Sequence, residues 1–208
     1  VKTTKAPVAA SDHHIHVGQL VDVPRRNATE MLTLAPGILL TNHGGEGHAP
    51  AVFLRGFEAG EGQDLEFSVD GVPLNEMSNP HSHGYADAHF VIPELIDELR
   101  VVEGPYDPRQ GDFAVAGSVE YHLGLHQRGL LAKAAYGQYD QQRLLLAFGP
   151  KELSDTTFAA VELKRGTNFG VNRAYGAAGA IGQFEGSPSP GMTLTATAQS
   201  YAARFDAA

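Results

Sequence analysis

The residues of this chain whose types and spacing could do chemistry gather in one segment, His81-Ser82-His83 followed by Asp87 and His89. A His-x-His pair on a strand presents both imidazoles on one face, a spacing that zinc, copper or nickel can use. The plainer reading, a polar exposed loop whose histidines bind nothing specific, outweighs it, so no metal and no cofactor is assigned. The other histidines carry less weight. His13, His14 and His16 fall in a polar N-terminal stretch, and His43 and His48 flank glycines in a loop. Glu66 and Asp70 could be mistaken for paired carboxylates, but nothing supplies a nucleophile or a matched second acid. Asp70-Gly71 is better explained as a turn dipeptide. Gly44-Gly45-Glu46-Gly47 lacks the Lys-Ser/Thr ending and the following helix of a phosphate loop. An enzyme is not expected.

Composition narrows the rest. At 208 residues the chain holds one or two domains, and 42% hydrophobic content suffices for a core. With 24 Gly, 12 Pro and only 19% charged residues, the chain reads as turn-rich β structure rather than disorder. A net charge of −9, with no Lys/Arg cluster to neutralise phosphates, disfavours nucleic acid. Cysteine is absent, which excludes disulfides, thiolate metal sites and cysteine nucleophiles. The N-terminus has no apolar signal region, so any export signal is expected to lie upstream or to have been removed. No apolar run approaches the ~18 residues a membrane helix needs, a test to which transmembrane β-strands are blind.

The elements that would position these residues follow in order. Residues 1–25 read as a tether leading into one short strand, their larger apolar side chains falling at Ile15, Val17, Leu20, Val21 and Val23. Asn27 as cap and Glu30 three residues on predict a helix of about two turns, stopped by Pro36-Gly37 and followed by a strand over Ile38–Thr41. Residues 42–50 read as a loop and 51–55 as a strand. Residues 67–69 and 72–74 form a hairpin around Asp70-Gly71. After a loop over 75–88, Pro93 opens a short helix, and a strand through Leu99, Val101 and Val102 ends at Gly104-Pro105. Beyond residue 125 the texture changes to alternating segments near 129–138, 142–149, 155–165, 176–186 and 192–203. Thr193, Thr195 and Thr197 oppose Leu194, Ala196 and Ala198; Glu162 and Lys164 oppose Ala159, Val161 and Leu163. That is the period of a barrel strand with lipid outside and water inside. Tight turns are expected at 149–155 and 186–191, and a longer loop at 166–175.

Four blocks stand in order: Leu-Arg-Gly-Phe at 54–57, Val-Asp-Gly-Val-Pro-Leu at 69–74, Leu-Arg-Val-Val-Glu-Gly-Pro at 99–105, and Ala-Gly-Ser-Val-Glu-Tyr at 116–121. Each alone is a strand ending in a turn. The ordered set, covering residues 27–123, resembles the plug domain of TonB-dependent outer-membrane receptors. The resemblance implies an α+β plug domain, a small mixed sheet with short helices, at 26–125. It further implies the first strands of an antiparallel transmembrane β-barrel at 126–208. Five strands cannot close around a plug, since a plugged barrel needs about 22, so the barrel is incomplete and the chain is expected to be a truncated piece.

The family's function would be gated, energy-coupled uptake of a scarce ligand such as a siderophore or another metal chelate. Its setting would be the outer membrane of a Gram-negative bacterium, with lipid around the barrel and a TonB-type inner-membrane protein as energy-transducing partner. Residues 1–10 contain no convincing TonB box. Arg55 would contact the barrel, and turns would be set by Gly56, Asp70, Gly71, Gly104, Pro105 and Gly117. Glu103 departs from the family, where a basic residue precedes this Gly-Pro, so either Arg100 or Arg109 would take its place at the plug–barrel contact or the plug would lock differently. Ser118, Glu120 and Tyr121 depart as well. The loop carrying His81, His83, Asp87 and His89 would face the ligand. Two rivals stand beside this reading: a periplasmic His-rich metal-binding module, and an exported β-rich interaction module.

Overall fold

The computed structural model describes residues 7, 9–18, 20, 23–42, 47–169 and 171–206. It divides into two compact units, Val1–Gly44 with His48–Leu123, and Gly45–Gly47 with Gly124–Ala208. Among the described residues no helix is long and apolar enough to cross a membrane, which says nothing of strands.

The first unit carries two sheets. The larger is mixed, in the order β1 (Asp12–His16), β7 (Ile96–Glu103), β8 (Gly117–Leu123), β5 (Leu65–Val69), β6 (Val72–Pro73), and its β5–β8 pair is parallel while the others are antiparallel. The smaller is an antiparallel meander of β2 (Ile38–Thr41), β3 (Ala51–Leu54) and β4 (Phe57–Glu58). Leu65, Phe67, Leu99, Val101, Val119 and Tyr121 fill the core of the larger sheet, with Met31 and Leu32 from the helical segment also buried. Tyr121 is fully buried, its hydroxyl reaches the Ala28 carbonyl at 3.4 Å, and burial holds its phenol well above the ordinary range.

The predicted helix is present as a 3-10 helix over Ala28–Leu34 rather than an α-helix. Asn27 caps it by accepting the Glu30 amide at 3.2 Å, while the Glu30 carboxylate reaches back to the Arg26 amide at 2.9 Å. Ala35 precedes proline and is extended, with ψ 138°, so the helix has only seven residues before it must stop. A piece that short favours the tighter i→i+3 winding.

Pro93 opens a three-residue 3-10 helix that runs directly into β7, as predicted. Two hairpin turns place a non-glycine residue at positive φ, Arg55 at 48° before Gly56 and Asp70 at 48° before Gly71, the backbone a two-residue primed turn demands. The Arg55 turn creates β4, to which the sequence pattern assigns no element. The N-terminal strand lies at Asp12–His16, earlier and more polar than its apolar side chains suggested, and Val21 lies outside the described residues. Pairing with β7 creates this strand, with Asp12 opposite Val102 and His16 opposite Glu98.

The second unit is an antiparallel meander of β9 (Gly129–Tyr136), β10 (Gln142–Gly149), β11 (Phe158–Gly166), β12 (Tyr175–Ser189) and β13 (Met192–Phe205). All five strands coincide with the alternating segments read from sequence. The last two are longer than expected, at 15 and 14 residues, and meet across a turn at 190–191 with a register shift between Gly186 and Ser189. The alternation in β11 is strict, with Phe158, Ala160, Glu162 and Lys164 buried and Ala159, Val161, Leu163 and Arg165 exposed. Glu162 takes a 2.5 Å contact from Arg143 and a 3.0 Å contact from Lys164, so the buried charges of this face are paired. Leu130, Leu144, Leu146, Phe148, Val161 and Leu163 stand exposed on the opposite face. Arg128 joins the strand ends, donating to the carbonyls of Leu125, Pro150 and Thr157 at 2.6, 2.7 and 2.9 Å.

Candidate functional site

Two constellations in the first unit combine charge, burial and geometry. The first lies on β7. Arg100 forms a two-pronged pair with Asp12 of β1, with both N–O distances at 2.9 Å, and a third contact to Asp107 at 2.9 Å. Arg109 grips the same Asp107 at 2.6 Å. These guanidiniums hold the Asp107 carboxyl far below its ordinary range, Arg109 contributing most, and the Asp12 carboxylate raises Arg100 in turn. The parallel fork of a guanidinium matches a carboxylate's two oxygens, so Arg100 fixes β1 in register on β7.

Arg55, on the β3–β4 turn, meets Glu103 at 2.6 Å; Arg55 is 64% exposed while the Glu103 side chain is only 6% exposed. The acidic residue where the sequence pattern called for a basic one is therefore the partner of Arg55 inside this unit. Glu103 is tied to the edge strand as well, its backbone bonding Ser11 through N–H to carbonyl at 3.0 Å and through its own carbonyl to the Ser11 hydroxyl at 2.8 Å. Gly104 ends β7 at φ 109° and donates to the Ala116 carbonyl at 2.7 Å, and Gly117 opens β8. Asp70 does more than turn the chain: its carboxylate accepts the Leu123 amide at 3.0 Å.

The second constellation is the histidine loop. It does not bring His81, His83 and His89 together. His83 turns its Nδ1 to the Met77 carbonyl at 2.9 Å, and buried His89 lies 2.5 Å from Asp87. His81 instead meets His48, ring nitrogen to ring nitrogen at 3.2 Å, and the other nitrogen of His48 lies 3.2 Å from Glu61. Tyr85 stacks on His81 with ring centres 5.3 Å apart, and its hydroxyl accepts the Ala49 amide at 2.8 Å. Burial raises the Tyr85 phenol.

The scaffold is built from backbone. Asn75 donates to the carbonyls of Gly62, Leu65 and Gly84, all at 2.9 Å, and accepts the Phe67 amide at 2.7 Å. Gly62 and Gly84 sit at φ 117° and 86°, and a Cβ on Gly62 would strike the Gly84 carbonyl, so the two loops meet backbone to backbone. Glu61 and His48 were missed in sequence because they stand 20 and 33 residues from His81, a separation that carries no local signal.

The sequence matches the family model described as TonB-dependent Receptor Plug Domain over residues 4–118. The chain belongs to the TonB-dependent receptor plug family. The chain is 30% identical over 114 residues to the vitamin B12 transporter BtuB of Vibrio vulnificus strain CMCP6, a match covering 55% of this chain and 18% of that protein. Among solved structures it shares its fold with the pyoverdine outer membrane receptor FpvA of Pseudomonas aeruginosa PAO1, at TM-score 0.71 and 16% identity, over 94% of this chain and 28% of that one. The copper transporter OprC is also similar, at TM-score 0.69 and 17% identity, over 97% of this chain and 32% of that one. The chain thus spans less than a third of the length of each relative named here. These relatives are transporters and receptors rather than enzymes. The five-stranded meander, which begins at Gly129, follows the matched residues 4–118.

Proposed function

We propose that the protein to which this chain belongs is an outer-membrane receptor that takes up a scarce ligand, such as a siderophore or another metal chelate, by energy-coupled gating. The observation that carries the reading is the pairing of a plug-family unit with five antiparallel strands that expose apolar side chains on one face and bury charged pairs on the other. Such a sheet suits lipid on one side and an aqueous or protein-filled lumen on the other. The energised partner is an inner-membrane protein of the TonB type, acting on chain N-terminal to β1.

Chemistry on the first unit supports a latch for such a pull. The strand β1 is an edge strand, and its first residue, Asp12, carries the fork to Arg100. Tension applied before residue 11 meets the Ser11–Glu103 hydrogen bonds, then that ion pair and the ladder behind it down to His16. Arg55, Arg100 and Arg109 remain candidates for holding the plug until force arrives. Arg55 suits that role best, because its guanidinium is largely exposed while anchored at one nitrogen by Glu103. The loop over 75–88 is proposed to face the ligand.

The experiment is accumulation of radiolabelled ligand by cells expressing the full-length receptor, using ferric siderophores, cobalamin, and copper and zinc chelates. Uptake of at least one is expected, abolished by deleting the energy-transducing partner or by collapsing the proton gradient. Uptake that persists under both treatments would contradict the proposal.

A further inference from the structure

We propose that His48, Glu61 and His81 form a binding site for a divalent cation of the zinc, copper or nickel class on the exposed loops of the plug. Ligand atoms from the three residues lie within 4.8 Å of one another, the only such group among the described residues. The decisive distance is between imidazoles. His48 Nε2 and His81 Nδ1 are 3.2 Å apart with their rings nearly perpendicular, at 77°. Two nitrogens bound at 2.0–2.1 Å to a tetrahedral ion stand about 3.3 Å apart. The pair is therefore spaced as it would be across a metal.

The remaining nitrogen of His48 supplies the second part of the design. Nδ1 is hydrogen-bonded to the Ala49 carbonyl at 3.3 Å and lies 3.2 Å from Glu61 Oε1. The carbonyl takes the Nδ1 proton with the Glu61 carboxylate beside it, which leaves the Nε2 lone pair free for the ion and raises its basicity, the arrangement that orients metal-bound histidines generally. Glu61 is thus a positioning residue, and the two imidazoles are the ligands.

Each member is fixed before a cation arrives. The His81 amide donates to Asn79 Oδ1 at 2.9 Å, and Tyr85 stacks on the His81 ring. The Ala86 amide donates to the Glu61 carbonyl at 2.8 Å, and the Glu61 amide donates to the Gln63 side chain, which itself bonds Ser82. A site held this way loses little entropy on binding. His81 is exposed while His48 and Glu61 are half-buried, so two positions of a tetrahedral ion face solvent, open to water or to donor atoms of a chelator. Imidazole nitrogens favour zinc, copper and nickel over the hard cations. The site stands on its own geometry; only its use in uptake rests on the receptor reading.

The test uses full-length receptor, purified without a polyhistidine tag, stripped with chelator and titrated with zinc chloride and copper(II) chloride. One tight site is expected. His81→Ala, at an exposed side chain, should weaken it beyond about 100-fold, and Glu61→Gln by about 10-fold or more, the usual cost of losing an outer partner. His83→Ala should leave the affinity unchanged. Copper-loaded receptor should show electron-spin coupling to two imidazole nitrogens, reduced to one in His81→Ala. Absence of a tight site, or unaltered affinity and nitrogen coupling in His81→Ala, would overturn the proposal. Either result can be read whether or not energised uptake is observed, so failure of the site and failure of the transport reading are distinguishable.

Discussion

The two units treat charge in opposite ways. In the first, β7 reads Ile-Asp-Glu-Leu-Arg-Val-Val-Glu, half of it ionisable, yet seven of its eight positions are buried. It tolerates this because Arg100 is met by Asp12 and Asp107, and Glu103 by Arg55. In the second unit the buried charges Glu162 and Lys164 lie on one face of β11, and the other face presents Leu144, Leu146, Phe148, Val161 and Leu163 outward, with Arg165 at its end. A buried charge is tolerable when paired, whereas an exposed apolar face requires a covering medium. The first unit therefore carries its own complement within the described fold. The second is built to be completed by lipid, detergent or further strands.

The sharpest way to break this comparison is to remove the central cation of the first unit. Arg100→Ala strips Asp12 of its guanidinium and leaves Asp107 to Arg109 alone, and loss of one partner from a buried pair costs about 3–5 kcal/mol. Hydrogen exchange should report the loss as opening of β1 and β7; unchanged protection there would mean the fork contributes little. In the second unit the corresponding insult is to the apolar face. Val161→Arg should cost about 2–4 kcal/mol in a bilayer if that face meets lipid near the midplane. Gel heat-modifiability of the refolded full-length protein reads it out, and a neutral result would mean that Val161 does not face lipid.

Smaller effects sharpen the comparison further. Asn27→Ala removes the helix cap and should cost about 1 kcal/mol, seen as a lower denaturation midpoint of the first unit alone. The smallest effect is with pH. Glu120 raises the His122 imidazole above its ordinary value of 6.5, with Glu98 and Asp70 adding to it, and His122 lowers Glu120 in return. A raised histidine stabilises the fold fully below 6.5 and loses that contribution as pH rises through its folded value; the lowered Glu120 keeps its own contribution above 4.5. The first unit should thus be slightly more stable near pH 6 than near pH 8, and His122→Gln should flatten the slope. An unchanged slope in that variant would assign the pH dependence elsewhere.

Sequence carried some elements fully and others hardly at all. The strands β9 to β13 were legible because a half-exposed strand alternates, and alternation survives without tertiary context. The hairpin at Asp70-Gly71 and the cap at Asn27 were legible because turn and cap chemistry is local. The strand β1, Asp-His-His-Ile-His, has no strand pattern of its own and exists through pairing with β7, which is 84 residues away between His14 and Glu98. The two-residue strand β4 follows from the positive φ of Arg55, a backbone state that an arginine does not announce. At the candidate site the His-x-His motif drew attention to the right loop, but the geometry joins His81 to His48 and Glu61 and turns His83 to a carbonyl.

The central proposal is that the full-length protein is a gated receptor of the outer membrane. Its most direct measurement is the single-channel conductance in planar bilayers of the full-length receptor, with and without residues 1–123. The account predicts a closed intact protein and a large, persistent conductance once the plug is deleted. An intact protein that already conducts freely, or a deletion that folds into the bilayer and stays closed, would contradict it.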